Sequence, residues 1–338
     1  MMLATYLPVI WALLIAAAVA LYVILDGFDL GIGILFPTTS VEKERDQMMN
    51  SVAPFWDGNE TWLVLGGGGL WVAFPQAYAV IMPAFYLPVI VMLLALIFRG
   101  VSFEFRHVSK PNHRAWDFAF AVGSAVAAYA QGVILGGLVQ GITVVDGKFG
   151  GGPFDWATPF ALLCGLGLVA GYGLLGATWL IAKTDGVVQA RARVQARMLL
   201  LAVLALIAIV SLWTPLGFER IADRWFAPPN IWFLWPVPLI TLGLGWFVWR
   251  SLAGERDYGP FLGVVGLFLL AYLGLAISTF PYLVPPTLTI WDTAAVPDSQ
   301  VFTLIGTIVL LPVILGYFAF VFWTFRAKVT VDSAGGYH

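Results

Sequence analysis

Nine stretches of about 17–25 predominantly apolar residues recur along the chain, near 6–25, 60–78, 79–98, 117–140, 157–182, 198–214, 231–249, 261–284 and 302–325. Each is long enough to span the hydrocarbon core of a bilayer as a helix, the element that satisfies its own backbone polar groups there. With 60% hydrophobic and 11% charged residues and a mean hydropathy of +0.90, the chain cannot clothe a water-soluble globule. The expected fold is therefore all-α, a polytopic membrane protein with nine transmembrane helices. The second and third runs form one block, "WLVLGGGGLWVAFPQAYAVIMPAFYLPVIVMLLALIF", too long for one crossing, and a turn at Pro75 divides it. The opening "MMLATYLP" has neither a basic n-region nor a small-residue cleavage site, so the first run is expected to be a retained span.

Charge orients the spans, because Lys and Arg concentrate in cytoplasmic loops. Alternate connections and the C-terminal segment hold Lys43, Arg45, Arg99, Arg106, Lys110, Arg114, Lys183, Arg191, Arg193, Arg197, Arg250, Arg256, Arg326 and Lys328, leaving only Lys148, Arg220 and Arg224 for the other side. One missed or extra span would scramble this alternation. The N-terminus is expected outside and the C-terminus in the cytoplasm.

A net charge of −2 offers no basic stripe for nucleic acid, and the single Cys164 rules out an internal disulfide framework or a thiolate metal cluster. His107 and His113 fall in a basic connection and His338 ends the chain, so no apolar span carries a histidine. A haem held between membrane helices needs axial ligands at depth, and buried methionines such as Met92 read as gap fillers. The glycines 66–69, together with Gly132, Gly136, Gly137, Gly141, Gly167 and Gly171, read as sites of close helix approach. Most of the 15 tryptophans read as interfacial belt or core, and Cys164 as a buried filler.

Against this apolar background the carboxylates stand out. "YVILDGFDLGIGILFP" continues the first span and carries Asp26 and Asp29, one turn apart on one helix face. "SVAPFWDGNETWLVLGGGG" opens the second span with Asp57 and Glu60 at the same spacing, and a connection of about a dozen residues suits neighbouring antiparallel helices. The four carboxylates are expected to converge near the cytoplasmic ends of these helices. Two roles are open. They can seat the helix ends by pairing with Arg99, Arg106 or backbone groups, or they can form a proton path, since close carboxylates in low dielectric take up and pass protons with water.

The segments "LDGFDLGIGILFP", "NSVAPFWDGNETWLVLGGGGLWVAFPQAYA", "FRGVSFEFR" and the late "IWDT" resemble subunit II of the cytochrome bd quinol oxidases, including the cyanide-insensitive branch. Residues 141–260 bring no distinctive motif. The resemblance implies two four-helix bundles plus one peripheral helix, the first bundle about residues 1–140, the second bundle and ninth helix about 157–326. It implies a heterodimer in a bacterial cytoplasmic membrane, in which subunit I carries b-type and d-type haems, oxidises quinol and reduces oxygen to water. This chain then supports that core and holds no catalytic residue. Asp26, Asp29, Asp57 and Glu60 match positions associated with a proton path to the oxygen-reducing haem, although some relatives carry Gln in place of Glu60. Trp56 marks the region where some relatives hold a structural quinone. Small single-span accessory subunits and membrane lipid complete the implied partners. A proton-coupled secondary transporter is the competing reading, but the glycine-interrupted second span has no counterpart in the other half, as inverted repeats require. A passive scaffold would not need paired carboxylates.

Overall fold

A computed structural model describes residues 2–109, 113–254 and 256–330, so Lys110 and His338 lie outside the described residues, as does the side chain of His107. The chain is built of helices with two small hairpins. Helix α1 (Met2–Leu35) leads into a short 3-10 turn, followed by α2 (Glu42–Asn50), α3 (Trp56–Ala73), α4 (Pro75–Ala84), α5 (Tyr86–Val108) and α6 (Arg114–Gln140). The antiparallel hairpin β1 (Val144–Val145) and β2 (Lys148–Phe149) precedes α7 (Pro159–Lys183), α8 (Gly186–Gly217), α9 (Glu219–Phe226), α10 (Asn230–Leu234), α11 (Pro236–Ala253) and α12 (Tyr258–Thr279). A second antiparallel hairpin, β3 (Tyr282–Val284) and β4 (Leu288–Thr289), precedes α13 (Pro297–Thr324). Neither hairpin is visible as a strand pattern in so apolar a sequence.

Among the described residues, eight helical segments are long and apolar enough to cross a membrane: Thr5–Thr38, Tyr86–Arg106, Arg114–Gln140, Pro159–Lys183, Gly186–Gly217, Asn230–Ala253, Tyr258–Thr279 and Pro297–Thr324. The expected span at 60–78 is not among them. Its counterpart α3 is 18 residues long and is diluted by Asp57, Asn59, Glu60 and four glycines. It nonetheless lies antiparallel to α1, with Asn59 at the level of Leu25, Gly66 against Val19 and Gly69 against Ile15.

The expected turn at Pro75 is present, because the residue before a proline is driven out of the helical region and Phe74 sits at φ −137°, ψ 62°. A second break at Phe85 was not legible from hydropathy. Its cause is Pro88, which cannot donate to the carbonyl of Ala84 and whose ring crowds that oxygen. Helix α4 is thereby detached as a short plug, and the third span begins at Tyr86 rather than near 79. Phe74, Ala77, Val80 and Phe85 bury this plug with Trp11, Ile142, Val284 and Ile290 beneath the two hairpins.

The first helix carries Asp26 and Asp29, as expected, and continues past the apolar run ending near residue 25 to Leu35, with both carboxylates facing a cation. Helix α1 packs on α3, α6, α7, α12 and α13. Its closest crossing is with α7, where a Cβ on Gly31 would lie 1.9 Å from the carbonyl oxygen of Tyr172 and one on Gly176 would lie 2.4 Å from the carbonyl carbon of Gly31. Helix α6 meets α7 in the same way, with Gly132 and Gly136 against Cys164. Of the four consecutive glycines, Gly66 and Gly69 face α1, whereas Gly67 and Gly68 face open space.

Candidate functional site

Three helices meet at the Arg99 guanidinium. Helix α1 brings Asp26 and Asp29, α3 brings Asn59 and Glu60, and α5 brings Arg99 itself, all fully buried except Glu60, whose side chain is 28% exposed. The approach of α5 is set by α6, where a Cβ on Gly123 would lie 2.7 Å from the Ala95 carbonyl oxygen and 3.1 Å from the Arg99 nitrogen.

Arg99 Nη2 lies 3.2 Å from Asp26 Oδ1 and 3.6 Å from Asp29 Oδ2, and Nη1 donates to Glu60 Oε1. The Asn59 amide donates to Asp29 Oδ2 at 2.7 Å and to the Leu25 carbonyl at 3.2 Å, tying α3 to α1. Trp56 and Phe103 stack with ring centroids 4.8 Å apart, and the guanidinium lies 5.7 Å and 5.5 Å from their ring centres. Such contacts suit Arg, a weakly hydrated cation, in an apolar setting. Both oxygens of Asp26, Oδ1 of Asp29 and Oδ1 of Asn59 are buried with no hydrogen-bond partner within the chain, a concentration of acceptors of the kind ordered water serves.

A polar chain continues from this site into the helix bundle. Tyr22, one turn before Asp26, turns its hydroxyl toward that carboxylate without closing a hydrogen bond to it. Gln131 on α6 donates to the Tyr22 hydroxyl at 2.7 Å and accepts from the Tyr172 hydroxyl on α7 at 2.8 Å.

Asp57 does not join its three companions. It is exposed on the first turn of α3, so the expected convergence of four carboxylates is one of three. The reason is rotational: one face of α3 carries Asn59 and Glu60 toward α1 and α5, and Asp57 falls off that face. Arg99 and Arg106, counted among connecting residues, are instead fully buried on α5. Arg106 serves a separate cluster, pairing with Asp46 and, at 2.6 Å, with Asp117 Oδ1, while Arg45 pairs with Asp117 Oδ2 at 2.8 Å. His113 Nε2 sits 3.6 Å from the same oxygen of Asp117. This second cluster balances two arginines against two aspartates.

Asn59, Tyr22, Gln131 and Tyr172 were missed by sequence reasoning. Signals for two of them existed: Tyr22 precedes Asp26 by four residues, which on a helix means the same face, and Gln131 is an amide in the middle of an apolar span. The position of Trp56 as one wall of the Arg99 site was not legible. Among the described residues, no group of three or more His, Cys, Asp or Glu side chains is arranged to hold a metal ion. The residues gathered here do not fit an axially ligated haem; they are one guanidinium, three carboxylates and an amide.

Comparison with known proteins decides the family. The model of the cytochrome bd terminal oxidase subunit II family matches residues 7–325. The chain belongs to that family. It is 31% identical to cytochrome bd-I ubiquinol oxidase subunit 2 of Escherichia coli K12, over 96% of this chain and 95% of the relative. It is also 36% identical to cytochrome bd ubiquinol oxidase subunit 2 of Bacillus subtilis over 40% of this chain and 41% of the relative. The fold is shared with a chain in the structure of bd oxidase from Geobacillus thermodenitrificans, with a TM-score of 0.70 at 19% identity, covering 94% of this chain and 98% of that one. As a cytochrome bd subunit II it is a respiratory oxidase subunit and a multi-pass membrane protein, from a family whose complexes involve haem and quinol and whose partner is a subunit I.

Proposed function

We propose that this chain is the haem-free half of a heterodimeric quinol:oxygen oxidoreductase, that it supports a haem-bearing subunit I, and that its buried carboxylates carry protons from the cytoplasm toward the site of oxygen reduction. The b-type and d-type haems and the quinol site belong to the partner in this reading. The chain has no catalytic residue of its own, and the complex resides in a bacterial cytoplasmic membrane. Two four-helix bundles and a peripheral helix, with α3 as the ninth crossing, the N-terminus outside and the C-terminus inside, complete it. A structural quinone near Trp56 and small single-span accessory subunits are compatible additions.

The observation that carries the proton role is the composition of the Arg99 site. One guanidinium faces Asp26, Asp29 and Glu60, and the charge of three carboxylates in an apolar bundle is not closed by one cation. Protons close it. Partly exposed Glu60 is the natural mouth, Asp29 and Asp26 the buried relay, and Asp57, on the surface of the same helix end, an outer collector.

The test is the assembled complex in vesicles carrying Asp29→Asn, which preserves shape and hydrogen bonding but removes the titratable proton. Intact haem spectra with oxygen uptake and vectorial proton consumption slowed by tenfold or more are expected. Unchanged turnover and proton consumption in Asp26→Asn and Asp29→Asn alike would leave these carboxylates as helix anchors only.

A further inference from the structure

The α11–α12 turn holds a feature that the proton path does not use. An open cavity of about 460 Å³ lies there, lined by Phe247, Arg250, Ser251, Gly254 and Arg256. It sits at the same end of the bundle as α2 and the start of α8. Arg193 on α8 donates to the Gly254 carbonyl at 3.1 Å, Asp257 binds Arg193 at 2.8 Å, and Gln47 on α2 reaches Asp185, the residue preceding α8.

The neighbouring carboxylate is already engaged. Asp257 is shared by Arg193 and by Lys328 at 2.5 Å, and it also accepts from Gln189 at 3.1 Å. Arg250 and Arg256 are exposed and, among the described residues, have no carboxylate partner. Arg250 lies 5.7 Å from the ring centre of Trp246. Glu255 lies outside the described residues. Even with it counted, the five cations Arg193, Arg197, Arg250, Arg256 and Lys328 outnumber the two carboxylates Glu255 and Asp257.

The cavity borders a broad apolar face. On α11 and α12, Trp246 is 66% exposed, Phe247 46% and Leu262 63%, so a ligand held by the two guanidiniums would have hydrocarbon surface directly beside it. That juxtaposition distinguishes a lipid from a free anion. A paired guanidinium site with a serine hydroxyl matches a phosphodiester, and basic pockets between membrane helices at the cytoplasmic side recognise anionic headgroups. We infer that Arg250 and Arg256 form a binding site for the phosphate of an anionic phospholipid, whose acyl chains lie along the Trp246–Phe247 face of α11 and across Leu262 of α12.

The occupant is tested on the complex with its subunit I, reconstituted into nanodiscs of zwitterionic lipid doped with a photoreactive phosphatidylglycerol. Crosslinked peptides covering residues 246–262 are expected, and competition by unlabelled phosphatidylglycerol, but not by phosphatidylcholine or by millimolar inorganic phosphate, should suppress them. In the Arg250→Gln/Arg256→Gln variant, labelling should fall about twenty-five-fold, since each juxtamembrane Arg is worth about fivefold toward an anionic lipid. The Arg250→Lys/Arg256→Lys variant should retain most of it, which separates charge from folding. Labelling confined to other segments of the wild-type complex, equal competition by phosphatidylcholine, or displacement by inorganic phosphate would each overturn the assignment, and the wild-type measurements decide even if the Gln variant fails to assemble.

Discussion

Arg99 is the residue on which the buried site depends, because every carboxylate of the cluster leans on it. Arg99→Met would keep the bulk of the side chain but strand Asp26 and Asp29 without a cation, and breaking a buried pair costs about 3–5 kcal/mol. The expected outcome is loss of assembled complex, read as haem content per membrane protein. Adding Asp29→Asn to Arg99→Met should recover part of that loss by removing one orphaned charge. Tyr22→Phe makes a finer test: it deletes the hydroxyl between Gln131 and Asp26 while keeping the ring, so assembly should persist and turnover should fall several-fold if Asp26 needs this hydroxyl to be oriented. Sequence patterning located the carboxylates by their cost in lipid, yet it could not tell which face of α3 turns inward, so Asp57 was grouped with residues it does not touch. Asn59, neutral and unremarkable in composition, gives no such signal.

At the scale of elements, small residues decide how closely helices cross. Gly31→Ala would drive a methyl into the Tyr172 carbonyl, where neither backbone can yield cheaply, whereas Gly67→Ala meets nothing within 4 Å. The first substitution should abolish stable assembly. The second should be neutral or raise the melting temperature slightly, since Ala exceeds Gly in helix propensity by about 1 kcal/mol. Both are read by thermal unfolding of the purified complex. The pair Gly27 and Gly31 has the small-xxx-small spacing in plain view, but the two aspartates beside it drew the reading toward chemistry rather than packing. The connection between α1 and α3 responds to pH in its own way. The hydrogen bond from Arg191 holds the Glu44 carboxyl below its ordinary range, with a further contribution from Thr39. A lowered native value means that the tie between α2 and α8 is complete at neutral pH and is lost as pH falls below the ordinary carboxylate range through that lowered value. Hydrogen exchange of α2, corrected for intrinsic rates, should rise in that range, and Glu44→Gln should show the faster exchange already at pH 7.

For the whole molecule, the decisive question is how often the chain crosses the membrane. Among the described residues, eight helices qualify by length and composition, and eight crossings would put both termini on one side. The parity turns on helix α3. Its 18 residues span about 27 Å, close to the thickness of a hydrocarbon core. It runs alongside α1 from the level of Leu25 to that of Ile15, and its last carbonyl, on Ala73, accepts hydrogen bonds from Ala295, just before α13, and from Gln300 in the first turn of α13. Its low hydropathy follows from Asp57, from the Asn59 and Glu60 side chains, which reach Asp29 and Arg99, and from four glycines, of which Gly66 and Gly69 face α1, so composition understates a helix that lends polar groups to a buried site. If α3 crosses, Lys43 in α2 and Lys148 in the β1–β2 hairpin are separated by three crossings, α3, α5 and α6, and lie on opposite faces of the membrane. If it does not, only α5 and α6 intervene, and both lysines lie on one face. Both side chains are exposed, and single cysteines can be introduced at Lys43 and Lys148 in a Cys164→Ala background. A membrane-impermeant maleimide should label Lys148→Cys alone in right-side-out vesicles and Lys43→Cys alone in inverted ones. Labelling of both from the same side would remove α3 from the crossings and, with it, the placement of the Arg99 site between an inner aqueous face and the interior of the membrane.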